Sequence, residues 1–493
     1  MFRTLLLSVA LSSVVTAAPP AQDDEIVHAL NRLTFGPRPG EVERVKAIGL
    51  QQWLDEQLSP SRIGNVALDR RLATLETLTL DAATIQREYA GPAMEERRKR
   101  QLENPDAGRP EPGMRNDANQ PREPMSEALR KGRQVISDLE QARLLRAVYS
   151  ERQLEEVLVD FWFNHFNVFA GKGATRNYVG AYERDAIRLY VLGSFREMLG
   201  ATAKHPAMLF YLDNWLSSGA ESATGARGAN SARQASARRA NPVPQRRSTG
   251  LNENYARELL ELHTLGVDGG YTQNDIINVA KAFSGWTIQP RQGSGFVYAA
   301  NRHDRGEKIV LGQTIKAGGG ESDGERVLDI VAAHPSTARH IATKLAIRFV
   351  SDNPPAALID RVATRFTATR GDLREVTKAL LTSPEFLSAD ARRVKVKTPL
   401  EFVASALRAT GAEIRNAIPL ARTLSDMGMP LFFCQPPTGY DETATTWVNA
   451  GALVSRMNFA VELSKNNVRG VRVPLTEEQT LALKIGAPEF QRQ

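Results

Sequence analysis

Apolar residues recur at helical spacing through most of the sequence. Near the beginning, Ile26, Leu30 and Leu33 follow one another at intervals of four and three residues, and later stretches keep the same period. Such a period lines one face of a helix with apolar side chains. The pattern predicts further helices at residues 41–48, 50–58, 126–150, 154–169, 178–192, 195–203, 207–215, 253–265, 273–284, 324–333, 336–350, 355–367, 372–382, 399–410 and 451–464.

One part of the chain departs from the helical period. Residues 293–299 and 308–314 have the pattern of two short strands, with a turn segment at 301–306 between them. We therefore predict an all-α protein with one small β-hairpin. Its helical body is expected to form a single domain at 19–470, followed by a C-terminal tail at 471–493.

Two stretches have almost nothing to bury. Residues 103–124 are rich in Pro, Gly, Asn and charge, and residues 217–250 consist mainly of Ala, Ser, Gly and Arg. Ordering a backbone costs roughly 1–2 kcal/mol per residue, and neither stretch has the apolar area to offset that cost. Both are predicted to be disordered insertions in one body.

The first 18 residues have the layout of a secretory signal peptide. Arg3 gives the positive start, residues 5–15 are apolar, and small residues follow at 15–18. Eleven apolar residues are too few for a membrane span, which needs about 20. No later apolar run is long enough to span a bilayer, so we expect an exported protein, periplasmic or extracellular, with no transmembrane segment.

The net charge of +7 belongs mostly to one insertion. The sequence has 63 Lys plus Arg and 56 Asp plus Glu, but residues 217–250 alone carry six Arg and one Glu. Removing that +5 and Arg3 leaves the rest close to neutral, at +1. The insertion has no interleaved aromatic residues, so no nucleic-acid partner is expected. Contact with anionic envelope polymers stays open.

Motifs for several common chemistries are absent from the sequence. We find no G-x-S-x-G, H-E-x-x-H, Walker or G-x-G-x-x-G motif, which weighs against serine hydrolase, zincin, NTPase and Rossmann functions. The single cysteine, Cys434, excludes an intramolecular disulfide framework and a thiolate-rich metal site. We expect Cys434 to be a buried, small apolar residue.

A polar stripe interrupts the apolar stretch 154–169. Asp160, Asn164 and Asn167 are spaced i, i+4 and i+7, and His165 lies beside them. If the helix is central, these groups need partners, because an unpaired buried polar group costs about 1–3 kcal/mol. Two interpretations stay open: hydrogen bonds between elements with a core histidine, or a functional site.

The helix at 253–265 combines a carboxylate and an imidazole. Asn252 is expected to cap its start and Gly266 to follow its end. Glu258 and His263 could belong to a salt-bridged surface, or could hold a metal or relay protons. In the next helix, by contrast, Thr272 and Asp275 fit a capping box, a structural role.

A third candidate is the pair His303 and Asp304 in the turn segment, with Lys308 nearby. A histidine and an aspartate on a rigid hairpin could orient a general base or bind a cation. Asp304 is equally suited to forming the turn through its own backbone. The loop 435–440, with Trp447, could add an aromatic rim to a cleft.

Several long motifs resemble a known family. The sequence resembles the bacterial family catalogued as domain of unknown function 1800 in HALNRLTFGPRPGE (28–41), DFWFNHFNVFAGKG (160–173), HPAMLFYLDN (205–214), NENYARELLELHTLGVDGGYTQND (252–275), NRHDRGEKIVLG (301–312), HPSTARHIATKLAIRFV (334–350) and QPPTGYDETATTWVNAGALVSRMNF (435–459). The resemblance implies export and genes that often lie beside those of an exported sulfatase-like family. It implies no established activity.

Two functional hypotheses follow. In the first, the protein is a hydrolase-type enzyme of the envelope or extracellular space, and its catalytic side chains converge on one cleft. The candidates are Asp160, His165, Glu258, His263, His303 and Asp304. A divalent metal could assist the reaction. In the second, it is a non-catalytic envelope scaffold or binding protein that works with a sulfatase-like partner. The enzyme hypothesis requires His165, Glu258 and His303 to lie within roughly 12 Å of one another.

Overall fold

Helices account for most of the chain in the computed structural model, which describes residues 21–103, 125–219, 250–290, 295–474 and 478–493. The prediction of a predominantly helical protein is confirmed. The predicted signal peptide and the greater part of both predicted insertions lie outside these residues. Within the described ranges, no helix is both long and apolar enough to cross a bilayer.

The α-helices are numbered here in chain order. In chain order they are α1 (Ala21–Leu33), α2 (Glu41–Ile48), α3 (Leu50–Gln57), α4 (Val66–Leu72), α5 (Ala82–Ile85), α6 (Gly91–Glu103), α7 (Glu127–Tyr149), α8 (Gln153–His165), α9 (Thr175–Ala181), α10 (Phe195–Lys204), α11 (Pro206–Tyr211), α12 (Glu253–Glu258), α13 (Gln273–Ala282), α14 (Ser322–Ala332), α15 (Pro335–Phe349), α16 (Ala356–Ala368), α17 (Leu373–Leu381), α18 (Pro384–Leu387), α19 (Pro399–Ala409), α20 (Ile418–Asp426), α21 (Ala444–Trp447), α22 (Ala450–Ser464) and α23 (Glu478–Gly486).

Some helices continue as π-helical turns. These turns are Gln86–Ala90 before α6, Tyr182–Ile187 after α9, and Leu259–Thr264 after α12. A π turn contains more residues than an α turn, so it rotates the side chains that follow it relative to an ideal helix. Such turns occur frequently at functional sites.

Helix α8 is shorter than its apolar run predicts. It ends at His165 because Phe166 leaves the helical region, with φ −100° and ψ 46°. The carbonyl of Phe166 instead accepts a hydrogen bond from the Tyr182 hydroxyl at 2.7 Å. Asn167 therefore lies just beyond the helix, and the expected three-residue stripe consists of two helical residues and one loop residue.

Two predicted helix starts are confirmed by their caps. The Asn252 side chain accepts hydrogen bonds from the backbone N–H groups of Asn254 and Tyr255 and so caps α12. Thr272 and Asp275 form a capping box at α13, with the Thr272 N–H donating to Asp275 Oδ2 at 2.8 Å. The structural role expected for Thr272 and Asp275 is therefore present.

The predicted pairing of the β-hairpin is wrong. Strand β2 (Val297–Tyr298) pairs with β1 (Trp286–Thr287), whereas β3 (Lys308–Val310) pairs with β4 (Gln313–Ile315). The second predicted strand is thus itself a hairpin. Its two-residue turn, Leu311 and Gly312, has φ values of 49° and 75°, as a tight hairpin turn requires. Leucine is an unusual residue at positive φ, so the sequence pattern concealed this turn.

A third small sheet joins the end of the chain to the body. Strand β5 (Glu413–Ile414) pairs with β6 (Val471–Arg472). Farther on, Arg492 bridges to Val396, and the Gln493 side chain donates to Glu401 at 2.9 Å. The described parts of the segment 471–493, which the sequence analysis set apart as a tail, therefore contact the helical body.

One apolar core connects the elements. It runs from Ile26 in α1 to Ile485 in α23 and includes Trp53, Trp162 and Trp286, each at most 1% exposed. Helix α8 is central to it, as its apolar composition predicts. The polar groups of α8 are therefore placed where they must find partners inside the protein.

Candidate functional site

A small polar cavity lies between α8 and the loop 429–442. Its volume is about 30 Å³, enough to hold at least one water molecule. Asp160 and Asn164 contribute from α8, and Asn167 contributes from the residues that follow it. The cavity is lined by Arg143, Asp160, Phe163, Asn164, Asn167, Thr398, Met429, Leu431, Phe432, Cys434, Tyr440, Asp441 and Glu442.

The two asparagines anchor the loop over this cavity. Asn164 donates to the carbonyl of Tyr440 at 2.8 Å and accepts from its N–H at 2.7 Å. Asn167 donates to the carbonyls of Cys434 and Pro436 at 3.0 and 2.7 Å. The amide members of the stripe therefore have the partners that the hydrogen-bonding interpretation required.

Asp160 is the candidate residue that faces the cavity. Burial raises the pKa of its carboxyl to about 6, although the positive charges of Arg143 and Arg348 oppose that shift. Arg143 Nη1 lies 3.1 Å from Asp160 Oδ1. A carboxyl group that titrates near neutral pH inside a cavity has the property that acid–base chemistry needs.

Arg143 also belongs to a buried ion network that the sequence analysis missed. It pairs with Glu183, on the π turn 182–187, at 2.7 Å. Arg146 and Arg188 reach the other Glu183 oxygen, both at 3.2 Å, and Arg188 also pairs with Glu156 at 2.9 Å. Burial opposes ionisation of Glu183, yet Arg143, Arg188 and Arg146 together lower its pKa to about 2. The available signal was Arg143 at helical spacing from the apolar residue Leu139.

A second ion cluster borders the cavity from the other side. Arg348 is paired with Glu401, and its Nη1 lies 3.7 Å from a carboxylate oxygen of Glu442. The other oxygen of Glu442 accepts from Asn164 at 3.3 Å. Burial opposes ionisation of Glu401, but Arg348 and hydrogen bonds, including one from Gln493, lower its pKa to about 2. Asp160 thus lies between Arg143 and the Arg348 cluster.

The structure brings His165 and His263 together with a third histidine. The ring centres of His165 and His263 are 6.3 Å apart, and His340 lies 6.0 Å from His165. Nε2 of His165 donates to the carbonyl of His263, and Nε2 of His340 donates to that of Leu262. Both carbonyls belong to the π turn 259–264, so the imidazoles satisfy backbone acceptors near a helix end.

Burial keeps these histidines neutral. Desolvation, with a smaller effect from His340, lowers the pKa of His263 to about 3. Desolvation is also the main cause that places the pKa of His165 well below its usual value, and it lowers that of His340. Nε2 of His263 is buried without a hydrogen-bond partner among the described residues.

Glu258 lies near Tyr211, a residue that contacts the loop 429–442. It is half-buried, and burial together with Glu261 raises its pKa. Tyr211, whose pKa is raised mainly by burial and to a smaller extent by Cys434 and Glu258, donates its hydroxyl hydrogen to the carbonyl of Gln435 at 2.6 Å. Within the described residues, the Glu258 carboxylate has no hydrogen bond.

His303 and Asp304 belong to a separate buried cluster. His303 Nε2 lies 3.1 Å from Asp323 Oδ2, and its Nδ1 lies 2.8 Å from the carbonyl of Ser284. Lys308 donates to the same Asp323 oxygen at 2.8 Å and to the carbonyl of Asp304 at 2.8 Å. The Asp304 carboxylate accepts from the N–H of Gly306, as expected for a turn residue. The cluster fastens the turn 303–306 to α14.

The six candidate residues are thus spread over several places. Asp160 lines the cavity, His165 and His263 share one cluster, His303 and Asp304 share another, and Glu258 stands apart. Among the described residues, no three His, Cys, Asp or Glu side chains are arranged to hold a metal ion. Cys434 is buried, as predicted, and burial raises its pKa to about 11, which keeps it a thiol.

A larger cavity lies between α6, α7 and the start of α9. Its volume is about 510 Å³, within the range of about 300–1,000 Å³ that is typical of ligand pockets. Among the described residues, its wall contains two arginines, two amides and small or apolar residues, and no acidic side chain. It is lined by Gln86, Ala90, Ala93, Met94, Arg97, Gly132, Gly171, Gly173, Ala174, Arg176, Asn177 and Pro290.

Comparison with protein families identifies the chain. The profile described as "Protein of unknown function (DUF1800)" matches residues 28–491. The protein belongs to the DUF1800 family. No curated protein and no solved structure matches the chain.

The DUF1800 match includes both cavities and both ion clusters. It extends from His28, whose Nε2 donates to the carbonyl of Phe386, to Gln491, whose side chain accepts from Arg456. Most of the segment 471–493 therefore belongs to the family domain. The family description gives no reaction, so the function must be argued from the cavities themselves.

Proposed function

We propose that this DUF1800 protein is a non-catalytic, exported binding protein of the cell envelope. The cavity of about 510 Å³ beside α6 supports this proposal, because its size suits a small molecule and the described residues of its lining include no acid–base pair. In this role the protein would hold a ligand for an exported partner, such as the sulfatase-like protein that the family resemblance implies.

The interior contacts of the candidate residues agree with a binding role. His165 donates to a backbone carbonyl, and His303 faces both the Ser284 carbonyl and Asp323. Groups used in this way stabilise the fold and are not free to transfer protons to a substrate.

A dye titration on the full-length mature protein tests the binding role. The uncharged fluorophore N-phenyl-1-naphthylamine should bind saturably, with increased emission. Ala174→Phe, which fills the cavity, should weaken that binding at least tenfold. Ala368→Phe, at an exposed position of α16, is the matched control and should leave it unchanged. Absence of saturable binding, or equal binding by Ala174→Phe, would contradict the proposal.

A second candidate function, hydrolysis at Asp160, is favoured by one observation. Burial raises the pKa of Asp160 to about 6, and its carboxyl lines a cavity with room for at least one water molecule. Asp160 would act as a general base on that water, and Arg143 would position its carboxylate. A substrate would reach the Asp160 carboxylate only after the loop 429–442 releases its hydrogen bonds to Asn164 and Asn167.

Ester hydrolysis tests this second function. The rate on p-nitrophenyl acetate should rise with pH through an inflection near 6 and be lost in Asp160→Asn. The surface variant Asp185→Asn is the control, since Asp185 pairs only with its neighbour Arg184 among the described residues. A rate that is unchanged in Asp160→Asn would exclude this function.

A further inference from the structure

The cavity beside α6 combines an apolar floor with two positive charges. Ala90, Ala93, Met94 and Pro290 supply apolar wall. Gly132, Gly171 and Gly173 complete the lining, each packed against a neighbouring side chain on the side where its own Cβ would lie: Ala93, Phe169 and Phe210, respectively.

The two arginines of this cavity have no ion-pair partner among the residues that the structure describes. Arg97 lies on α6 and Arg176 lies in the first turn of α9. Neither makes a hydrogen bond or an ion pair with a described residue, whereas Arg100, one turn after Glu96 on α6, pairs with it at 2.9 Å. Burial, followed by the charge of Arg97, lowers the pKa of Arg176. The two guanidinium groups therefore repel each other across a wall whose described residues include no carboxylate.

The two neutral amides of the wall are hydrogen-bonded to each other. Asn177 donates to Gln86 Oε1 at 2.9 Å. Gln86 begins the π turn 86–90, which places that turn and the start of α6 against α9. The amide pair thus holds the wall in place and leaves the arginines as its charged donors.

We infer that this cavity binds a small molecule with one anionic group, a carboxylate or a phosphate, attached to an apolar body. The anion lies between Arg97 and Arg176, where guanidinium groups offer paired N–H donors and the repulsion between them is relieved. The apolar body lies against Ala90, Ala93 and Met94. This inference rests on the proposed binding function and gives its ligand class.

Two dyes that differ by a charged group test the inference. The full-length mature protein is titrated with 8-anilinonaphthalene-1-sulfonate, which is anionic, and with the uncharged N-phenyl-1-naphthylamine. We expect the anionic dye to bind about tenfold more tightly, since hydrogen bonds to charged groups contribute strongly. That preference should weaken as salt is raised, because the arginines are partly exposed.

Charge-matched variants show whether the arginines cause the preference. The double variant Arg97→Gln and Arg176→Gln should lose the preference for the anionic dye and keep the affinity for the uncharged one. The control, Arg98→Gln and Arg130→Gln, removes the same charge from exposed positions outside the wall and should behave like wild type.

The outcomes separate the two proposals. Equal binding of both dyes by wild type, or an equal loss of the preference in both double variants, would overturn the anion inference while leaving the binding function intact. Anionic binding that survives Ala174→Phe would place the site elsewhere and also overturn it. If neither dye binds saturably, both proposals are wrong.

Discussion

Asn164 and Tyr440 exchange two hydrogen bonds across 276 positions of the chain. The side chain of Asn164 donates to the Tyr440 carbonyl and accepts from the Tyr440 N–H, so one amide pairs with the loop as a neighbouring strand would. Together with the contacts of Asn167, this pairing closes the cavity that contains Asp160.

Removing this amide should loosen the loop. For Asn164→Ala we expect the free energy of unfolding to fall by about 2 kcal/mol, because buried backbone groups of Tyr440 lose their partner. Urea denaturation measures the loss, and amide hydrogen exchange should accelerate at residues 434–442. Asn458→Ala, at an exposed position of α22, is the control and should change neither property.

Gly439 should not tolerate a side chain. Its φ is 74°, and an added Cβ would lie 2.3 Å from the carbonyl oxygen of Asn164. Gly439→Ala should therefore lower the free energy of unfolding by about 2 kcal/mol or more, since left-handed strain and the clash add. Gly180, inside α9, has open space around it, and Gly180→Ala should raise stability by roughly 0.5–1 kcal/mol. Equal effects of the two substitutions would show that the loop does not press on α8.

The sequence predicts the part of this site that α8 contributes, but not the part that the loop 429–442 contributes. Helical spacing brings Asp160 and Asn164 to one face of α8, because the period depends only on neighbours in the chain. The loop that meets Asn164 comes from residues about 270 positions later, and nothing local indicates that contact. For the same reason the helices and caps were predictable, whereas the grouping of His165 with His340 was not.

Buried charge was the least predictable feature. Arg143 and Glu183 occur on separate helices, and each alone looks like a surface residue. Their pairing follows from tertiary packing that turns both inward, with Glu183 carried by a π turn. The arginines Arg97 and Arg176 were missed for the opposite reason, since the absence of a partner can be seen only in the fold.

Glu183 should be far more important for stability than its surface counterparts. Glu183→Gln leaves Arg143, Arg146 and Arg188 buried around a neutral amide, so we expect a loss of about 3–5 kcal/mol. Thermal and urea unfolding measure this loss. Glu197→Gln removes a carboxylate that has no ion pair among the described residues, and it should change stability by less than about 0.5 kcal/mol. A similar small change for Glu183→Gln would show that the network does not hold α7 to the π turn.

Acid should unfold the protein in part through its buried histidines. In the unfolded chain a histidine titrates near pH 6.5, whereas burial lowers the pKa of His263 in the folded protein to about 3. Between these values the unfolded state binds one more proton than the folded state. Each such histidine therefore lowers stability by about 1.4 kcal/mol per pH unit as the pH falls from about 6.5 towards 3, and has no effect above that range.

His263→Gln removes one of the histidines that bind a proton on unfolding. Its free energy of unfolding, measured by urea denaturation between pH 7 and 4, should fall less steeply with acid than that of wild type. His334→Gln is the comparison, because His334 is only half-buried and should change the slope less. In wild type, the NMR signals of the His263 ring should not titrate down to pH 4. Titration of that ring near pH 6, or an unchanged slope in His263→Gln, would show that the cluster of His165, His263 and His340 is open to water.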